Sequence, residues 1–289
     1  MKEYLKLIRV KHWLKNLLVL FPIFFNMNIH KIKYSKILLL AFIVFCFTSS
    51  IIYVFNDISD IEKDKLHPTK KLRPLASGKI SKKNAVITLI TISIINIVLI
   101  GILYNINKSV LVIIIPAIYI IMNLLYSKVL KNIPIIDVSI IVTGFVLRVM
   151  YGGIVTNVTV SKYLYLMIIF GAYFLAFGKR RNEMIKNGTK SRKSLKLYNK
   201  DFLDKNMYVM LSLAIVSYTL WCVDKETITR IGKDNIYWTI PIVILILEMY
   251  SLNIEKDSNG DPIEVILESK MLLVTIFIYF CIMTFMLYF

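Results

Sequence analysis

Cysteine and histidine are scarce in this sequence, which has 289 residues and contains three of each. The cysteines, Cys46, Cys222 and Cys281, lie in or beside apolar runs, and their spacing suits neither a zinc site nor a disulfide framework. We therefore interpret them as small buried hydrophobic side chains. Linkers rich in glycine, serine or proline are also missing, so the sequence predicts a single domain over residues 1–289.

Long hydrophobic runs dominate the chain. Hydrophobic residues make up 57% of it and its mean hydropathy is +0.67, whereas a soluble domain is roughly 45–50% apolar. The runs are about as long as the roughly 20 residues that a membrane-spanning helix needs. They lack the alternation and the length of about 10 residues that are typical of barrel strands. The sequence therefore predicts an all-α, polytopic transmembrane domain.

Nine transmembrane helices around a central cavity are expected. The predicted helices cover residues 14–29, 36–56, 84–104, 110–126, 134–155, 163–179, 206–223, 236–253 and 270–288. The charged N-terminus before the first helix resembles the start of a signal peptide, but no small-residue cleavage site follows it. We therefore expect the first helix to be retained.

The formal net charge of +18 is distributed unevenly. With nine spans, 27 of the 36 Lys and Arg residues fall at the N-terminus and in the loops on the same side, chiefly 57–83 and 179–205. This bias predicts that the N-terminus and these loops are cytoplasmic in an integral cell-membrane protein. Such a charge would indicate nucleic-acid binding in a soluble protein. Its location in the loops argues against that function here.

A group of polar side chains follows the second predicted helix at residues 56–64. If the helix continues at 100° per residue, Asn56, Asp57, Asp60 and Asp64 fall within an arc of about 100°, and Glu62 points to the far side. Carboxylates on one face repel each other unless a cation joins them, and all-oxygen ligands suit Mg²⁺. The alternative is a solvated acidic helix end whose carboxylates pair with nearby lysines.

Two groups of basic residues are candidates for phosphate binding. Lys70 and Arg73 follow the acidic segment, and an Arg side chain can bind a phosphate through two hydrogen bonds. Lys179, Arg180 and Glu183 lie where the sixth predicted helix ends. The alternatives are ordinary cytoplasmic charge for the first group and a pair between Lys179 and Glu183 within the helix for the second.

Three further polar residues lie at or inside the membrane. Arg148 lies in the fifth predicted helix, where a charge is costly and is either paired or functional. Asp137 is about 16 Å away along a straight helix, so direct pairing is excluded, and Glu248 is another candidate partner. Lys15 and Asn16 lie beside Trp13 at the predicted interface, where an interfacial anchor is expected.

The pattern Asn-Asp-x-x-Asp-x-x-x-Asp at residues 56–64 resembles the first aspartate-rich motif of the UbiA intramembrane prenyltransferase superfamily. The extension from His67 to Gly78 is similar to the branch that contains decaprenyl-phosphate phosphoribosyltransferase. The resemblance covers nearly the whole chain. Weaker similarities to this branch occur at Trp13–Asn16, Ser49–Tyr53, Asp137, Gly144–Arg148, Phe174–Glu183, Tyr198, Phe202–Asp204 and Gly260–Val265.

The resemblance implies a membrane-bound, Mg²⁺-dependent transferase with a UbiA-like fold. Its substrates would be phosphoribosyl diphosphate (PRPP) and a polyprenyl phosphate lipid, and its role would be in cell-envelope biosynthesis. Asp57, Asp60 and Asp64 would be catalytic and hold Mg²⁺, assisted by Asn56. The substrate-binding residues implied are Lys15, Asn16, Lys70, Arg73, Arg148, Lys179, Arg180 and Glu183.

Two alternative functions remain open. A prenyltransferase that moves a polyprenyl group from its diphosphate to an aromatic or other acceptor would share the first motif. Prenyl-transferring members of the superfamily usually carry a second aspartate-rich motif, whereas residues 179–196 of this sequence are basic. A transporter would carry more charged residues in mid-helix than Arg148 and Glu248. A homo-oligomer is compatible with the sequence.

Overall fold

The computed structural model describes residues 1–26, 32–66, 70–188, 194–256 and 260–289. All regular structure in these ranges is helical. The α-helices are α1 (Lys2–Leu7), α2 (Phe21–Phe24), α3 (Ile32–Ser59), α4 (Ile61–Lys65), α5 (Lys82–Asn107), α6 (Leu111–Lys128), α7 (Ile136–Thr156), α8 (Lys162–Asn187), α9 (Lys200–Val223), α10 (Lys225–Ile231), α11 (Ile240–Glu255), α12 (Pro262–Glu268) and α13 (Lys270–Tyr288). Short 3₁₀ helices cover Val10–Leu20, Lys70–Leu72, Leu130–Asn132, Ser194–Lys196 and Asn235–Thr239.

Eight helices in the described ranges are long and apolar enough to cross a membrane. They correspond to the eight predicted helices from 36–56 to 270–288, so the all-α class is confirmed. The spans are Lys36–Ser59, Lys82–Asn107, Leu111–Lys128, Ile136–Thr156, Lys162–Lys186, Lys200–Val223, Asn235–Glu255 and Lys270–Tyr288.

The predicted first helix at 14–29, and with it the count of nine, is not confirmed by the residues that can be described. Val10–Leu20 forms a 3₁₀ helix, which α2 follows, and residues 27–31 lie outside the described ranges. In a 3₁₀ helix side chains three residues apart are aligned. Trp13, Asn16 and Val19 have this spacing: Trp13 and Asn16 hydrogen-bond α3, and Val19 is fully buried. The three-residue spacing of the side chains that face inward explains the tighter winding.

The described residues divide into two compact units. The first contains residues within Met1–Ile23, Ile29–Lys128 and Leu147–Val158, and the second contains residues within Phe24–Asn28, Val129–Val146 and Thr159–Phe289. In the core of the first unit, the ring of Phe45 packs 5.1 Å from that of Tyr119 and 5.3 Å from that of Tyr151. Helices α8, α9 and α11 build the core of the second unit around Phe174 and Met207. A single domain over residues 1–289 stays a prediction.

Gly152 in α7 allows the 3₁₀ helix to pack closely within the first unit. A Cβ atom at this position would lie 2.0 Å from the carbonyl oxygen of Val19. We expect Gly152→Ala to lower the apparent melting temperature of the purified protein, because overpacking a core costs about 1–3 kcal/mol. Gly171→Ala in α8 is the matched control, since nothing lies within 4 Å of its added Cβ. Equal melting temperatures for the two variants would contradict the close contact.

Candidate active site

The acidic segment after α3 brings Asp57 and Asp64 together in the first unit. Helix α3 ends at Ser59, and Asp60 leaves helical geometry (φ −106°, ψ 13°) before α4 begins. Helical hydrogen bonds continue across this break, from the Asp60 amide to the Asn56 carbonyl (2.9 Å) and from the Asp64 amide to the Asp60 carbonyl (2.8 Å). Asp57 and Asp64 therefore keep one orientation, and both are buried.

Two arginines bind these carboxylates. Arg73 Nη1 donates to Asp64 Oδ2 (2.6 Å) and to Asp57 Oδ1 (3.1 Å), so a single nitrogen bridges both groups. Arg9 Nη2 donates to the same Oδ1 of Asp57 (2.6 Å). The turn at Gly78 (φ +75°) follows Arg73, and the Ile80 amide closes it by donating to the Pro74 carbonyl (3.0 Å). The predicted proximity of Arg73 to the acidic segment is confirmed.

The other predicted members of this group have different positions. The Asp60 carboxylate is 35% exposed and lies 3.6 Å from Lys63 Nζ. Glu62 is 82% exposed and pairs with Lys65, on the far side as predicted. Asn56 is partly buried, and Lys70 is exposed in its 3₁₀ turn. The break at Asp60 explains why the structure brings together two of the four predicted ligands. His67, Pro68 and Thr69 of the extension lie outside the described residues.

A divalent cation fits the oxygen atoms of Asp57 and Asp64. A positively charged nitrogen, Arg73 Nη1, already lies within hydrogen-bond distance of both carboxylates. Carboxylate oxygens are the hard ligands that Mg²⁺ binds in proteins, usually together with water and substrate phosphates. In the described part of the chain no group of three His, Cys, Asp or Glu residues is close enough to hold a metal. A metal held by Asp57 and Asp64 would therefore need further ligands besides these two carboxylates.

Arg148 and Asn16 belong to a buried polar network in the first unit. Arg148 Nε donates to Asn16 Oδ1 (2.8 Å), and Arg148 Nη2 donates to the hydroxyl of Tyr119 (2.7 Å). The amide of Asn16 in turn donates to Ser49 Oγ (3.2 Å). The Arg148 guanidinium also lies 4.9 Å from the centre of the Tyr119 ring. Lys15, which is half-buried, occupies the neighbouring position on the 3₁₀ helix.

The second unit contains a separate network around Arg180, whose side chain is fully buried. Arg180 Nε donates to Asp137 Oδ2 (2.7 Å), and Nη1 donates to Glu183 Oε2 (2.9 Å). The hydroxyl of Tyr198 donates to Asp137 Oδ1 (2.8 Å), and Ser194 Oγ donates to Oδ2 (3.3 Å). Burial raises the pKa of Tyr198, so its hydroxyl stays protonated and remains a donor. The network ties the segment 194–198 to α7 and α8.

Lys179 is bound through a different contact. Its Nζ donates to Asp261 Oδ2 (3.0 Å), and Asp261 also caps α12 by accepting from the Ile263 amide (3.1 Å). Gly260 (φ +71°) makes the turn before Asp261, where a Cβ atom would lie 3.1 Å from Lys179 Cα. The sequence also allowed Lys179 to pair with Glu183. In the structure Lys179 pairs with Asp261, and Glu183 pairs with Arg180.

The predicted loop at 179–205 is largely helical. Helix α8 continues to Asn187, and α9 begins at Lys200, where Asn199 Oδ1 accepts from the Phe202 amide (2.7 Å). Lys179, Arg180 and Glu183 therefore lie on a helix. Residues 189–193, including Lys190, Arg192 and Lys193, lie outside the described ranges. The apolar run that defines a span begins several residues after Asn199, so hydropathy predicted a later start at residue 206.

Several residues in these contacts were not predicted as site residues. Arg9 was counted only as N-terminal charge, Tyr119 lies in an apolar run, and Tyr198 lies in a basic segment in which its hydroxyl group does not stand out. Asp137 and Tyr198 were noted among the weaker similarities to the branch, and Asp137 was also considered as a partner for Arg148, but neither was assigned a role in the site. The left-handed backbone at Arg9 (φ 53°), which directs its side chain to Asp57, leaves no signal in the sequence.

Comparisons with known proteins agree on one family. The profile of the UbiA prenyltransferase family matches residues 19–259. Two curated relatives, both named decaprenyl-phosphate phosphoribosyltransferase, come from Corynebacterium glutamicum and Mycolicibacterium smegmatis. The first is 34% identical over 93% of this chain and 81% of its own length. The second is 31% identical over 93% of this chain and 87% of its own length.

Solved structures show the same fold. A UbiA homolog from Archaeoglobus fulgidus bound to GPP and Mg²⁺ has a TM-score of 0.69 at 17% identity, with 99% of each chain covered. A digeranylgeranylglyceryl phosphate synthase has a TM-score of 0.66 at 21% identity, with 97% of each chain covered. These likenesses confirm the predicted UbiA-like architecture, and the helices identify an integral membrane protein.

Proposed function

The chain belongs to the UbiA prenyltransferase family, and on that basis we propose that it transfers 5-phosphoribosyl from PRPP to a polyprenyl phosphate. The choice of substrates is supported by the two relatives, which share that activity in their names and align with nearly the whole chain. The observation that carries the chemistry is the convergence of two buried carboxylates, Asp57 and Asp64, on one cation position.

The reaction exchanges one C–O bond for another at C1 of the ribose. The bond from C1 to the diphosphate oxygen breaks, and diphosphate leaves with the electron pair. A bond forms between C1 and an oxygen of the lipid phosphate. That oxygen is already ionised at neutral pH, so the site needs no strong general base. This requirement fits a chain with only three histidines.

Asp57 and Asp64 would hold Mg²⁺; Asp60 and Asn56, which the structure does not bring together with them, would become ligands only if the segment rearranged. The metal would neutralise the charge that develops on the departing diphosphate. Arg73 is the residue placed to bind the remaining diphosphate oxygens, because its guanidinium already lies at the two carboxylates. The role of these residues is to bind and orient the diphosphate and to stabilise it as it leaves.

The basic residues are assigned to phosphate binding with one exception. Lys15, Lys70 and Lys179 have side chains that are at least partly exposed, and we propose that each contacts a substrate phosphate. Arg180 is fully buried between Asp137 and Glu183, which favours a positioning role for it over direct contact. Glu183 shares this role by pairing with Arg180.

Arg148 and Asn16 act as a pair in this proposal. Both are buried, and the Arg148–Asn16 hydrogen bond fixes the orientation of the guanidinium. A guanidinium at this depth favours an anionic ligand, and we propose that it interacts with the phosphate of the lipid substrate. The active site would face the cytoplasm with the N-terminus on the same side, because the positive charge is concentrated there.

The direct experiment is to incubate the purified protein with labelled PRPP and a short polyprenyl phosphate, followed by mass analysis of the lipid. We expect a lipid product that has gained one phosphoribosyl group, together with released diphosphate. Product should disappear in excess chelator and return when Mg²⁺ is restored. Activity that persists unchanged in chelator would contradict the metal assignment.

Prenyl transfer is the second candidate, because the similar Archaeoglobus structure holds GPP and Mg²⁺. The same preparation should be assayed with a polyprenyl diphosphate and an aromatic or glycerol-based acceptor. Labelled prenyl product in this assay, without phosphoribosyl transfer in the first, would replace the proposed reaction by prenyl transfer.

A further inference from the structure

Arg9 occupies an unusual position between α1 and the 3₁₀ helix. Its backbone is left-handed (φ 53°, ψ 52°), a conformation that non-glycine residues adopt at some cost in free energy. Two side-chain contacts stabilise it: the hydrogen bond to Asp57 (2.6 Å) and a cation–π contact, in which the guanidinium carbon lies 4.6 Å from the centre of the Tyr53 ring. The chain therefore bends so that this arginine reaches Asp57.

Arg9 and Arg73 balance the charge of the two buried aspartates. The Asp57 and Asp64 side chains are 2% and 5% exposed, whereas those of Arg9 and Arg73 are 21% and 28% exposed. Buried carboxylates without cations would be strongly destabilising. The aspartates are therefore fixed by burial, while each arginine has a route towards solvent.

The oxygen atoms that the arginines bind are the ones that a metal would need. Asp57 Oδ1 accepts from both arginines, and Asp64 Oδ2 accepts from Arg73. A divalent cation added to the four charged groups would leave an excess of two positive charges in a buried place, which is unfavourable at low dielectric. A diphosphate would remove that excess by accepting hydrogen bonds from the released guanidinium groups.

We propose that Arg9 and Arg73 are exchangeable counter-ions, which neutralise Asp57 and Asp64 without metal and turn to the diphosphate when metal binds. This inference rests on the proposed function, since it concerns the same metal–diphosphate site. It assigns diphosphate binding to Arg9. It also requires that the metal and the diphosphate bind cooperatively, because each relieves the charge that the other introduces.

The experiment measures Mn²⁺ binding to the purified full-length chain by electron paramagnetic resonance, with and without inorganic diphosphate. For the unmodified protein we expect weak binding of Mn²⁺ alone and tighter binding with diphosphate. Arg9→Gln should bind Mn²⁺ alone on the order of tenfold more tightly, because a competing charged hydrogen bond is lost. The increase in Mn²⁺ affinity that diphosphate produces should be smaller in this variant by a similar factor.

Lys6→Gln is the matched control. Lys6 lies in the same N-terminal segment, carries the same charge and pairs with Glu3 in an exposed position. We expect it to leave both Mn²⁺ affinities unchanged. If Lys6→Gln reproduced the effect of Arg9→Gln, long-range charge would account for it and the proposal would fail. Weaker binding of Mn²⁺ alone to Arg9→Gln would likewise overturn it, since Arg9 would then be holding Asp57 in place for the metal.

A second variant covers the case in which Arg9→Gln does not fold. Arg9→Lys keeps the charge but loses the planar donor pair. We therefore expect little change in the affinity for Mn²⁺ alone and a smaller increase of that affinity when diphosphate is added. An increase as large as in the unmodified protein would overturn the assignment of Arg9. The transferase assay on the unmodified protein separates the two hypotheses. Cooperative Mn²⁺ and diphosphate binding that depends on Arg9, in a protein without phosphoribosyl transfer, would support the inference and reject the proposed substrates.

Discussion

Replacement of Asp64 by asparagine is expected to lower phosphoribosyl transfer on the order of a thousandfold, with the protein still folded. The substitution keeps the size of the side chain and removes the charge that a metal ligand needs. Asp57 keeps its hydrogen bonds from Arg9 and Arg73, so the remaining buried carboxylate stays neutralised. Asp57→Asn should have an equally large effect, because both aspartates face the same cation position. Initial rates at saturating PRPP and Mg²⁺ provide the measurement.

Glu62→Gln is the control for this prediction. Glu62 lies two residues before Asp64 in α4, but its side chain is 82% exposed and pairs with Lys65. The same change of charge should therefore leave the rate within about twofold, as expected for a solvated surface group. Full activity of Asp64→Asn in the presence of Mg²⁺, or an equal loss in Glu62→Gln, would end the assignment of the metal site to Asp57 and Asp64.

Helical periodicity predicted the orientation of most side chains in the acidic segment, but not the break at Asp60. The 100° rule placed Asp57 and Asp64 on one face and Glu62 on the other, and the structure agrees. The rule assumed an unbroken helix, whereas α3 ends at Ser59 and Asp60 is not helical. A local break of this kind depends on packing with other parts of the chain, and periodicity does not report it. Asp60 consequently pairs with Lys63.

Hydropathy located the spans but not the ends of their helices. The sixth predicted helix stopped at Lys179, where charge begins, yet α8 continues to Asn187. A helix does not need an apolar surface once it leaves the bilayer, and the Arg180–Glu183 pair supports this part of α8. At residues 14–29 hydropathy predicted one helix, whereas the described residues form a 3₁₀ helix at Val10–Leu20 and a short α-helix at Phe21–Phe24.

Partners of buried charges were the least predictable feature. Asp137 and Arg148 share α7, and their separation along the helix correctly excluded a direct pair. The actual partners, Arg180 for Asp137 and Asn16 for Arg148, are 43 and 132 residues away in sequence. A single sequence contains no signal for such contacts, because many residue pairs satisfy the same charge requirement. The roles of Arg9 and Tyr198 escaped prediction for the same reason.

Asp137→Ala is expected to lower the free energy of unfolding by about 3–5 kcal/mol. Removing Asp137 takes away the acceptor of three buried donor groups, and each buried donor left without a partner costs about 1–3 kcal/mol. Arg180 is fully buried, and Asp137 is one of the two carboxylates that pair with it in the described part of the chain. Asp137 also accepts from Tyr198 and Ser194. The expected observation is a large drop in apparent melting temperature in detergent.

Two further variants distinguish a buried charge from a general loss of packing. Glu62→Ala removes the partner of Lys65 in a pair whose side chains are 82% and 48% exposed, so a loss of about 1 kcal/mol or less is expected. The double variant Asp137→Ala/Arg180→Met should recover part of the stability lost in Asp137→Ala, since it also removes the buried guanidinium whose Nε has lost its acceptor. A double variant less stable than Asp137→Ala would show instead that Arg180 contributes mainly through its packing and its contact with Glu183. Recovery of stability without recovery of transferase activity would indicate that the charge of Arg180 positions the basic end of α8 for phosphate binding.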